Sequence, residues 1–168
     1  MQIINDYAAS GNTEAVGEYI RSLQAEIDDT VVQQYCKNES VNLILSSYAG
    51  KVKRQGAALS VSASMPVELE NELDVCIVLA NGLENALHAC AGLPESQIFV
   101  ECNHYAGKAV IQIKNPYSGQ VTFADGMPKS DRLGHGLGTL SIVSIAESHG
   151  GAADFSANDG FFTMRAVF

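Results

Sequence analysis

The stretch Leu79-Ala80-Asn81-Gly82-Leu83-Glu84-Asn85-Ala86-Leu87-His88-Ala89-Cys90 carries most of the information in this sequence. It lies in a helix predicted over residues 71–91, with Leu73, Cys76, Ala80, Leu83, Leu87 and Cys90 on the expected buried face and Gly92 and Pro94 stopping it. At 100° per residue, Asn81, Glu84, Asn85 and His88 share an arc of roughly 100° on the side away from the leucines. A solvated face would favour Lys, Glu or Gln, because asparagine is a mediocre helix former. Neutral amide oxygens can ligate a hard cation, and a neighbouring carboxylate can orient water. The set therefore suits magnesium held against a phosphate ligand.

Upstream, Val41, Ile44, Leu45, Tyr48, Ala49 and Val52 repeat with a helical period from Glu39. That helix ends at Lys51, Lys53, Arg54 and Gly56, where cations answer the helix dipole. Ala58 to Ser64 alternates Leu59, Val61 and Ala63 with serines, the pattern of a half-buried strand. Downstream, two alternating runs over 97–103 and 108–114 form a hairpin joined by His104-Tyr105-Ala106-Gly107. A long, glycine-rich irregular stretch runs over 115–138, and loops of that length inside a domain are usually functional or disordered. A helix over Thr139–His149, the break Gly150-Gly151, a strand over 152–157, a turn at Asn158-Asp159-Gly160 and a strand over 161–168 complete the reading. Hairpins with helices between them fit an α+β two-layer sandwich, one mixed sheet with helices on one face, better than a doubly wound parallel sheet.

Gly134-His135-Gly136-Leu137-Gly138 is a second candidate for chemistry. Alternating glycines let the backbone approach a ligand closely, and the helix that follows presents free N–H groups to an anion. No G-K-[ST] follows, so it is not a P-loop, and no βαβ unit surrounds it.

Composition bounds the function. The chain has 168 residues, 46% of them hydrophobic, enough for one packed domain. Ten Lys and Arg against 19 Asp and Glu give a formal charge of −9, which argues against nucleic acid as a partner. Four widely spaced cysteines (Cys36, Cys76, Cys90 and Cys102) fit neither a zinc cluster nor a disulfide framework, and a reducing cytoplasm is the natural setting. No run approaches the ~18 apolar residues of a membrane span, and the start has no basic signal-peptide region. Residues 1–29 read as helical, with Val16, Tyr19, Ile20, Leu23 and Ile27 forming one apolar stripe that calls for a partner surface.

The 79–90 run resembles the N-box of the gyrase, Hsp90, histidine kinase and MutL superfamily of ATPases. Gly134 to Gly138 with Gly150-Gly151 resembles its second glycine box. Within that superfamily the sequence looks most similar to quorum-sensing-type sensor histidine kinases, which lack the usual Asp-x-Gly-x-Gly first glycine box. Here Ile113-Lys114-Asn115-Pro116-Tyr117 stands in its place. The resemblance covers roughly residues 35–168 and implies a Bergerat-type ATP-binding fold with ATP and Mg²⁺ as ligands. It implies that Asn115 takes the adenine-reading position, that Asn85 ligates Mg²⁺ and that Asn81 and His88 contact phosphates. Glu84 would polarise or orient the nucleophile, and Gly134, Gly136, Leu137 and Gly138 would border the nucleotide. Residues 123–130 would form a lid, with Lys129 or Arg132 reaching the phosphates.

The same resemblance divides the chain into a residual helix of a phosphoacceptor hairpin over 1–29 and a catalytic domain over 30–168. The four histidines, His88, His104, His135 and His149, all lie in the catalytic half, so the acceptor is expected on a hairpin outside this piece of a longer, membrane-attached kinase. Partners implied are that hairpin, a dimer mate and a response regulator. Two other readings remain open at this point: an anti-sigma-factor-type serine kinase, and a docking module that has lost nucleotide binding.

Overall fold

Asn38 starts the first helix. Its side-chain oxygen accepts from the Val41 N–H at 2.9 Å, and helix α1 runs over Glu39–Arg54 with the expected basic last turn. Strand β1 (Ala58–Ser64), helix α2 (Glu72–Ala89), strands β2 (Gln97–Tyr105) and β3 (Lys108–Pro116), a short ribbon of β4 (Phe123–Ala124) and β5 (Met127–Pro128), helix α3 (Leu137–Ser148) and strands β6 (Ala152–Asn158) and β7 (Phe161–Val167) follow. This computed structural model describes residues 33–129 and 136–168. The helix expected over 1–29 lies outside them, and residues 34–168 form one compact unit.

The main sheet has the order β1-β2-β3-β7-β6. β1 and β2 pair in parallel, as they must with α2 as the crossover between them, and every other pairing is antiparallel. The sheet is therefore mixed, as expected. Alternation decides its covered face: Ile98, Val100 and Cys102 of β2, Ala109, Ile111 and Ile113 of β3, and Met164 and Ala166 of β7 are buried under the helices. Phe99, Glu101, Lys114 and Arg165 point the other way, toward solvent. α2 is the middle helix, packed against α1, α3 and β3.

Three features differ from the sequence reading. The buried face of α2 comprises Val75, Val78, Leu79, Gly82, Leu83, Ala86, Leu87 and Cys90, whereas Leu73 is 73% exposed and Cys76 and Ala80 are only partly covered. The face is rotated roughly 80° about the helix axis from the expected one. Gly82 explains why, since α2 lies so close to the sheet there that an added Cβ would meet Met164 Cε and sit 2.7 Å from Ile113 Cδ1. The hairpin strands β2 and β3 are also longer than expected. Ala106 and Gly107, with φ of 51° and 79°, alone make the turn as a two-residue type I′ connection. Finally, the long irregular stretch contains the β4–β5 ribbon, turned by Asp125 and Gly126, and α3 begins at Leu137 rather than Thr139.

Two asparagines that the sequence did not mark are structural. Asn38 is fully buried, and its Nδ2 donates to the Val67 carbonyl at 3.0 Å and to Glu72 Oε1 at 2.9 Å, tying α1 to the entry of α2. Asn42 accepts from the backbone N–H groups of Tyr35 at 2.6 Å and Cys36 at 3.3 Å. The four cysteines are free, and burial raises every one of their thiols, Cys102 to about 12, so none is poised as a thiolate nucleophile. Among the described residues no helix is long and apolar enough to cross a membrane.

Candidate functional site

The polar arc of α2 is divided between its two neighbouring helices. On one edge, Glu84 turns toward α1: its Oε2 accepts from the Tyr48 hydroxyl at 2.8 Å and lies 3.5 Å from Lys51 Nζ. Lys51 Nζ sits 4.2 Å from the centre of the Tyr48 ring, so the three groups form one assembly. The Tyr48 hydrogen bond holds the Glu84 carboxyl below its ordinary range; burial opposes it and Lys51 and His88 assist it. Burial first, and then Glu84, push the Tyr48 hydroxyl up to about 12.

The other edge faces α3. Asn81 packs so closely on Gly138 that a Cβ there would lie 3.3 Å from Asn81 Oδ1. Glycine at 138 thus lets the first turn of α3 pack closely on the Asn81 side chain, which a Cβ would displace by a few tenths of an ångström. Gly136, at φ 112°, occupies the left-handed region and caps that helix, its carbonyl accepting from the Leu140 N–H at 3.0 Å and from the Thr139 hydroxyl at 2.9 Å. The N–H groups of the first turn of α3 have no intrahelical partner and carry the positive end of the helix dipole.

Between these edges a cavity of about 240 Å³ opens. Asn85, His88 and Ala89 of α2 line one side, Gly136 and Thr139 of α3 another, Val121, Pro128 and Lys129 a third, and Tyr117 and Phe162 the sheet end. None of these lining residues is a carboxylate, in a chain with 19 acidic residues. Lys129, His88, the Asn85 amide and the α3 N-terminus give the space a chemistry suited to an anion, while Tyr117 and Phe162 offer aromatic surface to a planar group.

Of the sequence-predicted residues, the cavity brings together Asn85, His88 and Gly136, with Lys129 from the expected lid. Asn81 stands one turn before Asn85, against Gly138. Leu137 is 72% exposed, so only its backbone can serve a ligand. Asn115 is 2% exposed; its Nδ2 donates to the Pro116 carbonyl at 2.9 Å, and it pairs in register with cavity-lining Phe162. It thus sits at the aromatic end without lining the cavity. Glu84 does not line the cavity; its carboxylate reaches Tyr48 and Lys51 of α1. Gly134 and Arg132 lie outside the described residues. The sequence reading missed Tyr117, Val121, Thr139 and Phe162 as lining residues and Tyr48 and Lys51 as partners of Glu84; aromatic residues flanking the end of β3 were the available signal.

Asn85 carries an amide oxygen on the cavity wall that could hold a magnesium ion. Among the described residues no cluster of three or more His, Cys, Asp or Glu could hold a metal, so a magnesium ion here would be held by few protein ligands. That is the mode small, reluctantly dehydrated Mg²⁺ prefers.

Comparison with solved structures finds the same fold. The catalytic domain of histidine kinase ThkA, in a nucleotide-free form, superposes with a TM-score of 0.61 at 15% identity, covering 77% of this chain and 91% of that one. A histidine kinase from Burkholderia phymatum gives 0.58 at 11% identity over 92% of this chain and 77% of that one. The mycobacterial sensor histidine kinase MprB gives 0.54 at 17% over 76% and 94%. No curated protein matches the sequence. The sequence pattern of the GHKL domain matches residues 71–168, more than half of the chain and the whole span from α2 to β7, and the protein belongs to that family.

Proposed function

We propose that this chain is the ATP-binding catalytic domain of a sensor histidine kinase of the quorum-sensing type, transferring the γ-phosphoryl group of ATP to a histidine on a helical hairpin. The observation that carries the reading is the cavity in which Asn85 and His88 face the N-terminus of α3, next to aromatic Tyr117 and Phe162, with no carboxylate among its described lining residues. The adenine would lodge at the aromatic end, near Asn115, and the phosphates toward His88, Lys129 and the α3 amides.

Phosphoryl transfer asks a protein mainly for positioning and charge neutralisation. Asn85 would hold a magnesium ion, which when bound would supply part of the charge neutralisation. The chain's own residues do the rest: His88, Lys129 and the first-turn N–H groups of α3 hold the phosphates, and the glycines at 136 and 138 let the backbone come close. An imidazole nitrogen attacks the γ-phosphorus, the bond from that phosphorus to the β–γ bridging oxygen breaks, ADP leaves, and the imidazole gives up its proton. Position 81 carries Asn, with no carboxylate to act as a base toward water, which favours transfer over hydrolysis. The partners this implies are the acceptor hairpin, a dimer mate and a response regulator, in a protein attached to the membrane through another region.

Calorimetry of Mg²⁺-ATP binding to this chain and to Asn85→Ala tests the reading. Binding by the wild type that falls at least tenfold in the variant supports it. Equal binding by both would move the nucleotide away from α2, and absence of binding by the wild type would leave a docking module. Acid-labile, base-stable phosphorylation of an added acceptor hairpin then separates a histidine kinase from a serine kinase.

A further inference from the structure

Glu84 is the polar-arc residue whose surroundings fit least with the chemistry expected of it. It lies on the cavity-bearing helix, yet its carboxylate is engaged by two residues of a different helix, Tyr48 and Lys51, with Oε2 2.8 Å from the Tyr48 hydroxyl and 3.5 Å from Lys51 Nζ. Its second oxygen, Oε1, lies 3.5 Å from Nε2 of His88, one helical turn on, and His88 lines the cavity. A chain of contacts therefore runs from α1 through Glu84 to a side chain at the nucleotide. Neither Tyr48 nor Lys51 lines that cavity.

We propose that Glu84 is a positioning residue through which α1 sets the His88 ring at the phosphate end of the cavity. The proposal rests on the nucleotide-binding reading above. Geometry supports it in two ways. The carboxylate divides its oxygens, Oε2 toward α1 and Oε1 toward His88, so fixing one oxygen fixes the direction of the other. The helical spacing of residues 84 and 88 also makes the pair neighbours on one face. A carboxyl held below its ordinary range by a tyrosine hydroxyl is a poor proton acceptor and a durable anchor. Lys51 is a neutralising neighbour, and with 40% of its side chain exposed its ion pair adds little alone. The consequence is a link: a displacement of α1 relative to α2 would be felt at the bound phosphates without any α1 residue touching them.

The test is a set of double-mutant cycles read as Mg²⁺-ATP affinity by calorimetry, with urea unfolding of each variant in parallel. Glu84→Gln and Tyr48→Phe are each made in the wild type and in a His88→Ala background. The expected result is a loss of about fivefold in affinity for each in the wild type and of less than about 1.5-fold in the His88→Ala background. The ring ¹⁵N shifts of His88 move in Tyr48→Phe, although residue 48 lies outside the cavity. If Glu84→Gln fails to fold, Tyr48→Phe carries the test, since it removes one hydroxyl. Equal losses in both backgrounds, or none in either with the His88 shifts unmoved, overturn the positioning role while leaving nucleotide binding intact. A wild type that binds no ATP overturns both readings.

Discussion

Replacing Asn38 separates a helix cap from a buried cross-link. Its oxygen caps α1 by accepting from Val41 N–H at 2.9 Å, while its Nδ2 bridges to the Val67 carbonyl at 3.0 Å and Glu72 Oε1 at 2.9 Å in a fully buried position. Asn38→Ala removes the cap, worth about 1 kcal/mol, and leaves a carbonyl and a partly buried carboxylate short of a donor, at about 1–3 kcal/mol. The expected total is about 3 kcal/mol, or roughly 6–12 °C in Tm for a domain of this size. Asn38→Asp is the sharper variant. As a cap aspartate ranks with asparagine, so capping alone predicts almost no loss. Here it would put a second carboxylate where Nδ2 now meets Glu72, and two carboxylates at hydrogen-bond distance cannot both ionise. One of the pair then has a folded-state pKa above its unfolded value, so the folded chain binds more protons and stability falls as pH rises through that interval. The expected outcome in urea unfolding followed by circular dichroism is that Asp is at least as damaging as Ala at pH 7 and recovers toward Ala or better near pH 4. An aspartate variant as stable as wild type at pH 7 would refute the bridge and leave only a cap.

The adjacent glycines Gly150 and Gly151 are predicted to tolerate alanine very differently. Gly150 has φ 67° and open space around its missing side chain, so Gly150→Ala costs about 1–2 kcal/mol of backbone strain. Gly151 has ordinary backbone geometry, but its Cβ would meet the Val167 carbonyl oxygen and lie 3.0 Å from Phe168 Cα, backbone that cannot rotate away. Gly151→Ala therefore costs about 3 kcal/mol or more; urea midpoints for the two variants check the order. Alkaline titration followed by tyrosinate absorbance, clean in a chain with six Tyr and no Trp, is expected to show one group ionising last, near 12. That group disappears in Tyr48→Phe and moves down in Glu84→Gln. The stability that the Tyr48 to Glu84 hydrogen bond contributes is fully present below the unfolded tyrosine pKa of about 10 and is lost as pH rises through about 12.

What could be read in advance was local. Periodicity and the Gly92 and Pro94 stop found α2, alternation found every strand of the main sheet, and Asp159-Gly160 marked its turn, because each depends on neighbours within a few residues. The face of α2 was misjudged because Leu73 counts as apolar in any pattern, while Gly82 counts for nothing until a sheet is seen pressed against it. Asn38 and Glu84 show the same limit in polar form. Their partners lie 29, 34 and 36 residues away, so no window on the sequence distinguishes Asn38 from a surface cap or Glu84 from a solvated carboxylate. The glycine loop was legible as a helix entry with close backbone approach. That Gly138 serves a packed Asn81 was not, since the two residues meet only when α2 and α3 are laid side by side.

The charge of the chain shows how a global property and a site can point in opposite directions. A formal charge of −9 argues against nucleic acid because a long polyanion meets the field of the whole surface. A triphosphate is short, and at physiological ionic strength charges more than about 8 Å away are largely screened. At the proposed site it would meet the local lining: Lys129, His88, an uncharged Asn85 and the positive end of α3, with no carboxylate among the described lining residues. The nearest acidic group in this arc, Glu84, is turned to α1 and shares its charge with Tyr48 and Lys51. In the proposed kinase the contacts that hold α1 to α2 thus also offset the charge of the carboxylate that touches His88. Loss of the Tyr48 and Lys51 partners would harm nucleotide binding twice over, by loosening the setting of the His88 ring and by leaving that carboxylate's charge without its neutralising neighbours.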